Sequence, residues 1–102
     1  MTRGTTPTFT VSCPFSPKKM KALTAVFVQH GIELLRFEKE DMVLTDSEAS
    51  FTLSVEDTMR FSPSIPAELQ LRAESEDGKV TVSDIRTIAV RKKYPEDALP
   101  EF

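Results

Sequence analysis

Few residues in this chain have the type and spacing to do chemistry. Its 102 residues include one histidine, one cysteine and no tryptophan. His30 stands in Gln29-His30-Gly31-Ile32, between two apolar runs. A two-residue hairpin turn accounts for it, because Gly31 takes positive φ at little cost. One histidine and one cysteine are too few for a typical zinc site. A Cys–His nucleophile pair would need Cys13 beside His30 in an open pocket. Cys13 instead falls on the apolar face of an alternating run, where a buried core thiol belongs.

The carboxylates cluster twice, at Glu38, Glu40 and Asp41 and at Glu74, Glu76 and Asp77. Calcium takes several oxygen ligands from a spaced loop such as D-x-[DN]-x-[DN]-G. Neither cluster has that spacing, so both read as solvated loop charge. Glycines at positions 4, 31 and 78 do not make a phosphate-cradling loop. The expectation is therefore a non-enzymatic protein with no catalytic residue, no metal ligand and no cofactor.

Bulk properties narrow the partners. The net charge is −3 and the sequence pI about 5.1, which argues against nucleic acid, whose phosphates call for a basic face. The basic spots, Lys18, Lys19 and Lys21 and then Arg91, Lys92 and Lys93, read as solvated charges near strand ends. No stretch approaches the roughly 20 apolar residues of a membrane helix, and the first residues lack the apolar run of a signal peptide. A single cysteine allows no intrachain disulfide, so the core alone must stabilise the fold. The expectation is a soluble protein, made in the cytoplasm, with no membrane and no small-molecule substrate among its partners.

Alternation dictates the elements. Phe9, Val11 and Cys13 alternate with Thr8, Thr10 and Ser12 until Pro14 and Pro17 end the strand. Ala22 to Gln29 is a continuous apolar run that suits a central strand, and Ile32 to Glu38 returns from the His30-Gly31 turn. A short piece follows at Met42-Val43-Leu44, then a turn at Thr45-Asp46-Ser47, then a strand from Ala49 to Val55. Ser54-Val55-Glu56-Asp57 has the form of a capping box, and one helical turn to Arg60 would hold Met59 and Phe61 over the open end of the core. Pro66 opens a strand to Glu74, and Glu76-Asp77-Gly78-Lys79 is a hairpin turn. The last strand runs from Lys79 to about Arg91, and its alternation slips near Ser83-Asp84, as a β-bulge would make it.

About seven strands with turns near every ten residues are the pattern of an immunoglobulin-like antiparallel β-sandwich with one short helical turn. The expected core includes Phe9, Val11, Phe27, Phe51, Leu53, Leu69, Leu71, Val82 and Ile88. Without the Cys…Trp…Cys signature it is not an antibody-type domain. The organisation reads as an N-terminal arm over residues 1–6, a sandwich domain over 7–93 and a tail over 94–102. Arm and tail are expected to be disordered alone and ordered in an assembly, with Leu99 and Phe102 as the partner-binding anchors on a neighbour.

Four segments carry a resemblance. They are Met1-Thr2-Arg3-Gly4-Thr5-Thr6-Pro7-Thr8-Phe9, Ala25-Val26-Phe27-Val28-Gln29, Phe51-Thr52-Leu53-Ser54-Val55-Glu56-Asp57-Thr58, and Glu68-Leu69-Gln70-Leu71-Arg72-Ala73 with Asp77-Gly78-Lys79. Over residues 1 to about 93 the chain resembles small proteins encoded in prophages of Firmicutes-type gut bacteria. It is also similar to the N-terminal immunoglobulin-like domain of lactococcal-type phage baseplate upper proteins. The resemblance implies a virion structural protein of the tail or baseplate, whose partners are other phage structural proteins and copies of itself. The coiled coil or receptor-binding region of a full baseplate protein is missing after the sandwich, which favours a small connector or decoration subunit. Two other roles fit the same residues: a carbohydrate- or cell-surface-binding module, and a small regulator binding a host protein.

Overall fold

The computed structural model describes residues 1–83 and 85–91. Two antiparallel sheets pack face to face. The first holds β1 (Thr8–Ser12), β5 (Glu48–Thr52) and β4 (Val43–Leu44), in the order β1-β5-β4. The second runs β3 (Ile32–Glu38), β2 (Ala22–Gln29), β6 (Ala67–Glu74), with β7 (Val80–Val82) and β8 (Arg86–Ile88) both paired to β6. One five-residue helix, α1 (Val55–Met59), links β5 to the second sheet. This is an immunoglobulin-like β-sandwich. Its second sheet has the order of a variable-type GFC sheet widened by C′, with β2 as C and β6 as F. Eight strands are described where seven were expected, because the last one divides into β7 and β8.

Local chemistry places each turn. His30 and Gly31 both take positive φ, 51° and 73°, which a two-residue type I′ hairpin requires. Ser54 Oγ accepts from the Asp57 amide at 3.0 Å, and Asp57 Oδ2 accepts from the Ser54 amide at 3.0 Å, so the capping box starts α1 as the spacing predicts. Glu38 and Asp41 close a second reciprocal cap on a 3₁₀ turn at Lys39–Asp41. These two carboxylates thus hold backbone rather than standing as free ligands.

The inner faces meet in one core. Phe27, Leu23, Ala25, Leu69, Leu71 and Ala73 come from the second sheet, and Ala49, Phe51 and Leu53 from the first sheet and its C-terminal flank. Phe9 and Val11 pack against this core half-buried, at the open edge of β1. Gln29 is buried at the end of β2 and bridges across the core's rim. Its Nε2 donates to the carbonyls of Ser62 and Ile65 at 3.1 and 2.8 Å, and its Oε1 accepts from the Ser62 amide at 2.8 Å. The Pro63–Pro66 loop cannot pair in a sheet, and this side chain supplies its missing partners.

Three expectations require correction. Val82 was assigned to the core, yet it is 48% exposed. The pairing explains it. Between Arg72↔Val82 and Leu69↔Arg86, three steps along β6 face four along the β7–β8 line. That extra residue is the expected bulge, and it exchanges the faces, so Ile88 and Val90 are buried while Val80 and Val82 point outward. Met59 was expected over the core but is 42% exposed. In so short a helix one position faces inward, and that position is Thr58, fully buried, with Phe61 following at 1% exposure.

The third correction concerns the N-terminal residues, expected to be disordered outside an assembly. They pack on their own chain. The Met1 ammonium donates to the Ala89 carbonyl at 2.6 Å, the Arg91 amide to Met1 O at 2.7 Å, and the Arg3 amide to Arg91 O at 2.9 Å. Thr2 and Arg91 form a parallel bridge, and the Gly4 amide donates to Thr58 Oγ1 at 2.8 Å. Backbone pairing holds this segment where composition alone suggested none. The expected tail over 94–102 lies outside the described residues.

Two substitutions test this core by urea denaturation. Leu71→Ala is expected to cost about 2–5 kcal/mol, and a loss below half a kcal/mol would contradict the register. Gln29→Ala is expected to cost about 1–3 kcal/mol, because it removes three part-buried hydrogen bonds to the backbone of Ser62 and Ile65. A neutral outcome would show that water replaces the side chain there.

Candidate docking surface

The residue pairings that fill the core also compose the opposite face of the second sheet. Antiparallel partners share a face, so rows can be read across the strands. One row is Glu38, Thr24, Arg72 and Val82, and the next is Arg36, Val26 and Gln70. Ala22, Glu74 and Val80 complete it toward the β6–β7 turn. All of these side chains but Glu38 surround an open hollow of about 460 Å³. Val80 and Val82 are about half exposed on its rim, at 49% and 48%.

The electrostatics of this face are mixed. Arg36 is paired within its own strand, with Nη2 2.8 Å from Glu33 Oε1, and that hydrogen bond first, then the charge, hold its pKa above the usual value. Thr24 Oγ1 donates to Glu38 Oε2 at 3.1 Å. Arg72, exposed in the middle, makes no ion pair among the described residues. The face thus offers apolar valines and one available cation, bordered by Glu38, Glu68 and Glu74.

A second surface lies at the side of the sandwich, between the edge of β1 that no described strand pairs and the β7–β8 line. Val11, Leu69, Leu71, Val82 and Arg86 line a groove of about 500 Å³ there. It continues into a hollow of about 70 Å³ beside Cys13, Pro14 and Phe15. The β1 edge has a definite polarity. The Leu53 amide donates to Pro7 O and the Cys13 amide to Ser47 O, so Pro7, Phe9, Val11 and Cys13 point their main-chain groups toward β5. By the same alternation Thr8, Thr10 and Ser12 point theirs away from β5, Ser12 into the groove.

The residues singled out in the sequence are not gathered here into a reactive site. His30 occupies the exposed β2–β3 turn. Cys13 is half-buried at the end of β1, its thiol 3.7 Å from Val11 O, and burial first, then Glu48, raises its pKa. In the Glu74–Asp77 cluster the Asp77 carboxylate accepts from the Ser75 hydroxyl, which lowers its pKa and fixes the turn before Gly78. Among the described residues no group of three or more His, Cys, Asp or Glu side chains is placed to hold a metal ion. Leu99 and Phe102, the expected anchors, lie outside the described residues. The hollow on the sheet face escaped the sequence reading. The signal that could have found it was the pair Val80 and Val82, out of phase with Ile88.

No family model matches the chain, and no curated protein matches it. Among solved structures it is similar to the V domain of amphioxus IgVJ-C2, at 11% identity and a TM-score of 0.38, over 88% of this chain and 96% of that one.

The raised pKa of Cys13 has a sign that alkylation can read. At pH 8 less of the folded thiol is thiolate than of an unfolded one. Iodoacetamide should therefore label the native chain more slowly than the urea-unfolded chain. Equal rates would place the thiol in open solvent.

Proposed function

We propose that this protein is a non-enzymatic assembly module that works in several copies, as a connector or decoration subunit of a phage or phage-derived particle. The observation that supports it best is the outer face of the second sheet. It presents Val80, Val82 and Val26 around Arg72, with carboxylates at the border. A face carrying both charge signs about an apolar centre can meet a second copy across a two-fold axis, each Arg72 opposite acidic residues of the other. The particle setting comes from the resemblance of residues 1 to about 93 to prophage-encoded and baseplate proteins. The virion is then the protein's location, and other structural proteins of the particle are its further partners.

The carbohydrate reading has less support. Sugar platforms need exposed aromatic faces, and the phenylalanines among the described residues all belong to the core or pack against it.

Sedimentation equilibrium tests the docking. The chain should associate reversibly as its concentration rises. Val80→Asp should leave the melting temperature near its original value, since the side chain is half exposed, and should weaken association about tenfold or more. Unchanged association in that variant would remove this face from the interface.

A further inference from the structure

We infer that the groove beside β1 is a strand-acceptor site, and that its occupant is the segment Glu96 to Phe102 of a second copy, added antiparallel to β1. This rests on the reading of the chain as a subunit working in several copies, and it names the contact.

Main-chain parity carries the argument. Thr8, Thr10 and Ser12 turn their amides and carbonyls away from β5, while Phe9 and Val11 turn their side chains toward the core, and Val11 and Ser12 line the groove. An added strand must oppose Thr8, Thr10 and Ser12 with residues of a single parity. In Glu96-Asp97-Ala98-Leu99-Pro100-Glu101-Phe102 only one parity works. With Asp97, Leu99 and Glu101 bonded to β1, all three positions have an amide to donate. Pro100 then falls where no donor is needed. In the same register Ala98, Pro100 and Phe102 turn inward beside Val11, Leu69 and Leu71, and Asp97, Leu99 and Glu101 turn out to water, so that Phe102 and not Leu99 is the buried anchor. The opposite parity sets the proline against β1 and buries Asp97 and Glu101 together.

Charge and reach agree. The groove carries Arg86 at its rim, and the segment holds Glu96, Asp97 and Glu101. An antiparallel strand enters at the Ser12 end of β1. Arg91, the last described residue, is bonded to Met1 and Arg3, near the Pro7 end. Residues 92–95 span at most about 14 Å, roughly the length of β1 itself, and leave no chain for the reversal that a chain's own segment would need. A second copy has no such restriction. The site also continues a pairing already made, because Met1 to Arg3 bond to the backbone of Ala89 and Arg91 just beyond β8.

Amide hydrogen exchange of the full chain by NMR tests this, with sedimentation run on the same samples. As concentration rises, the Thr8, Thr10 and Ser12 amides should exchange about tenfold or more slowly, and dilution should reverse it. Leu99→Pro, which removes a donor facing β1, should abolish that protection, whereas Ala98→Pro should retain it. The protection of the Phe27 and Leu71 amides reports whether either variant folds. Protection that does not change with dilution, or that both variants lose alike, overturns the proposal. Association without protection at Thr10 and Ser12 overturns it while leaving the assembly reading standing. A chain that stays monomeric overturns both.

Discussion

The ring of Phe27 is the contact on which the rest of this structure depends. It sits fully buried on β2 and meets four other phenylalanines edge to face: Phe9 at 5.3 Å, Phe61 at 5.6 Å, Phe51 at 5.9 Å and Phe37 at 6.2 Å between centroids. Phe9 and Phe51 come from the opposite sheet, Phe37 from the neighbouring strand and Phe61 from the segment after α1. One side chain thus ties both layers and the crossover together, in a domain with no disulfide to do so. Edge-to-face pairs are each worth about 0.5–1.5 kcal/mol beyond their buried area, and the surrounding small residues Ala25, Ala49, Ala67 and Ala73 let the sheets approach. With Phe27 inward, period-two alternation turns Ala22, Thr24, Val26 and Val28 outward, which composes the face that the proposed assembly uses.

Much of this was legible because local and global signals agree. β2 and β3 fall at Ala22–Gln29 and Ile32–Glu38, as the apolar run and the His30-Gly31 turn predict, and the Ser54 capping box forms. The bulge was legible too, as a slip in alternation near Ser83. Its consequence was not. Which flank of a bulge faces inward depends on the partner strand, and only the pairing of Arg72 with Val82 shows that the flank before the bulge lies outside. The N-terminal residues illustrate the other limit. Thr-rich composition carries no apolar signal, whereas what holds Met1 to Gly4 is backbone bonding to Ala89 and Arg91 and a single buried hydroxyl on Thr58.

The candidate surfaces were legible only in part, for the same reason. His30 and Cys13, the residue types the sequence singled out, stand in a turn and half-buried at a strand end. A docking surface shows itself through what a fold leaves unpaired. The hollow around Arg72 and the edge of β1 come from strand order, with β1 at one margin of its sheet and β7–β8 at the margin of the other among the described residues. Both surfaces use common residue types whose meaning lies in their row and parity.

Mass spectrometry of purified particles from a host carrying the gene tests the proposed role as a particle subunit most directly. The account predicts that the chain copurifies with the structural proteins in a fixed, repeatable ratio through density-gradient banding. Complete particles that band without it, while it stays behind in the lysate, would contradict the account.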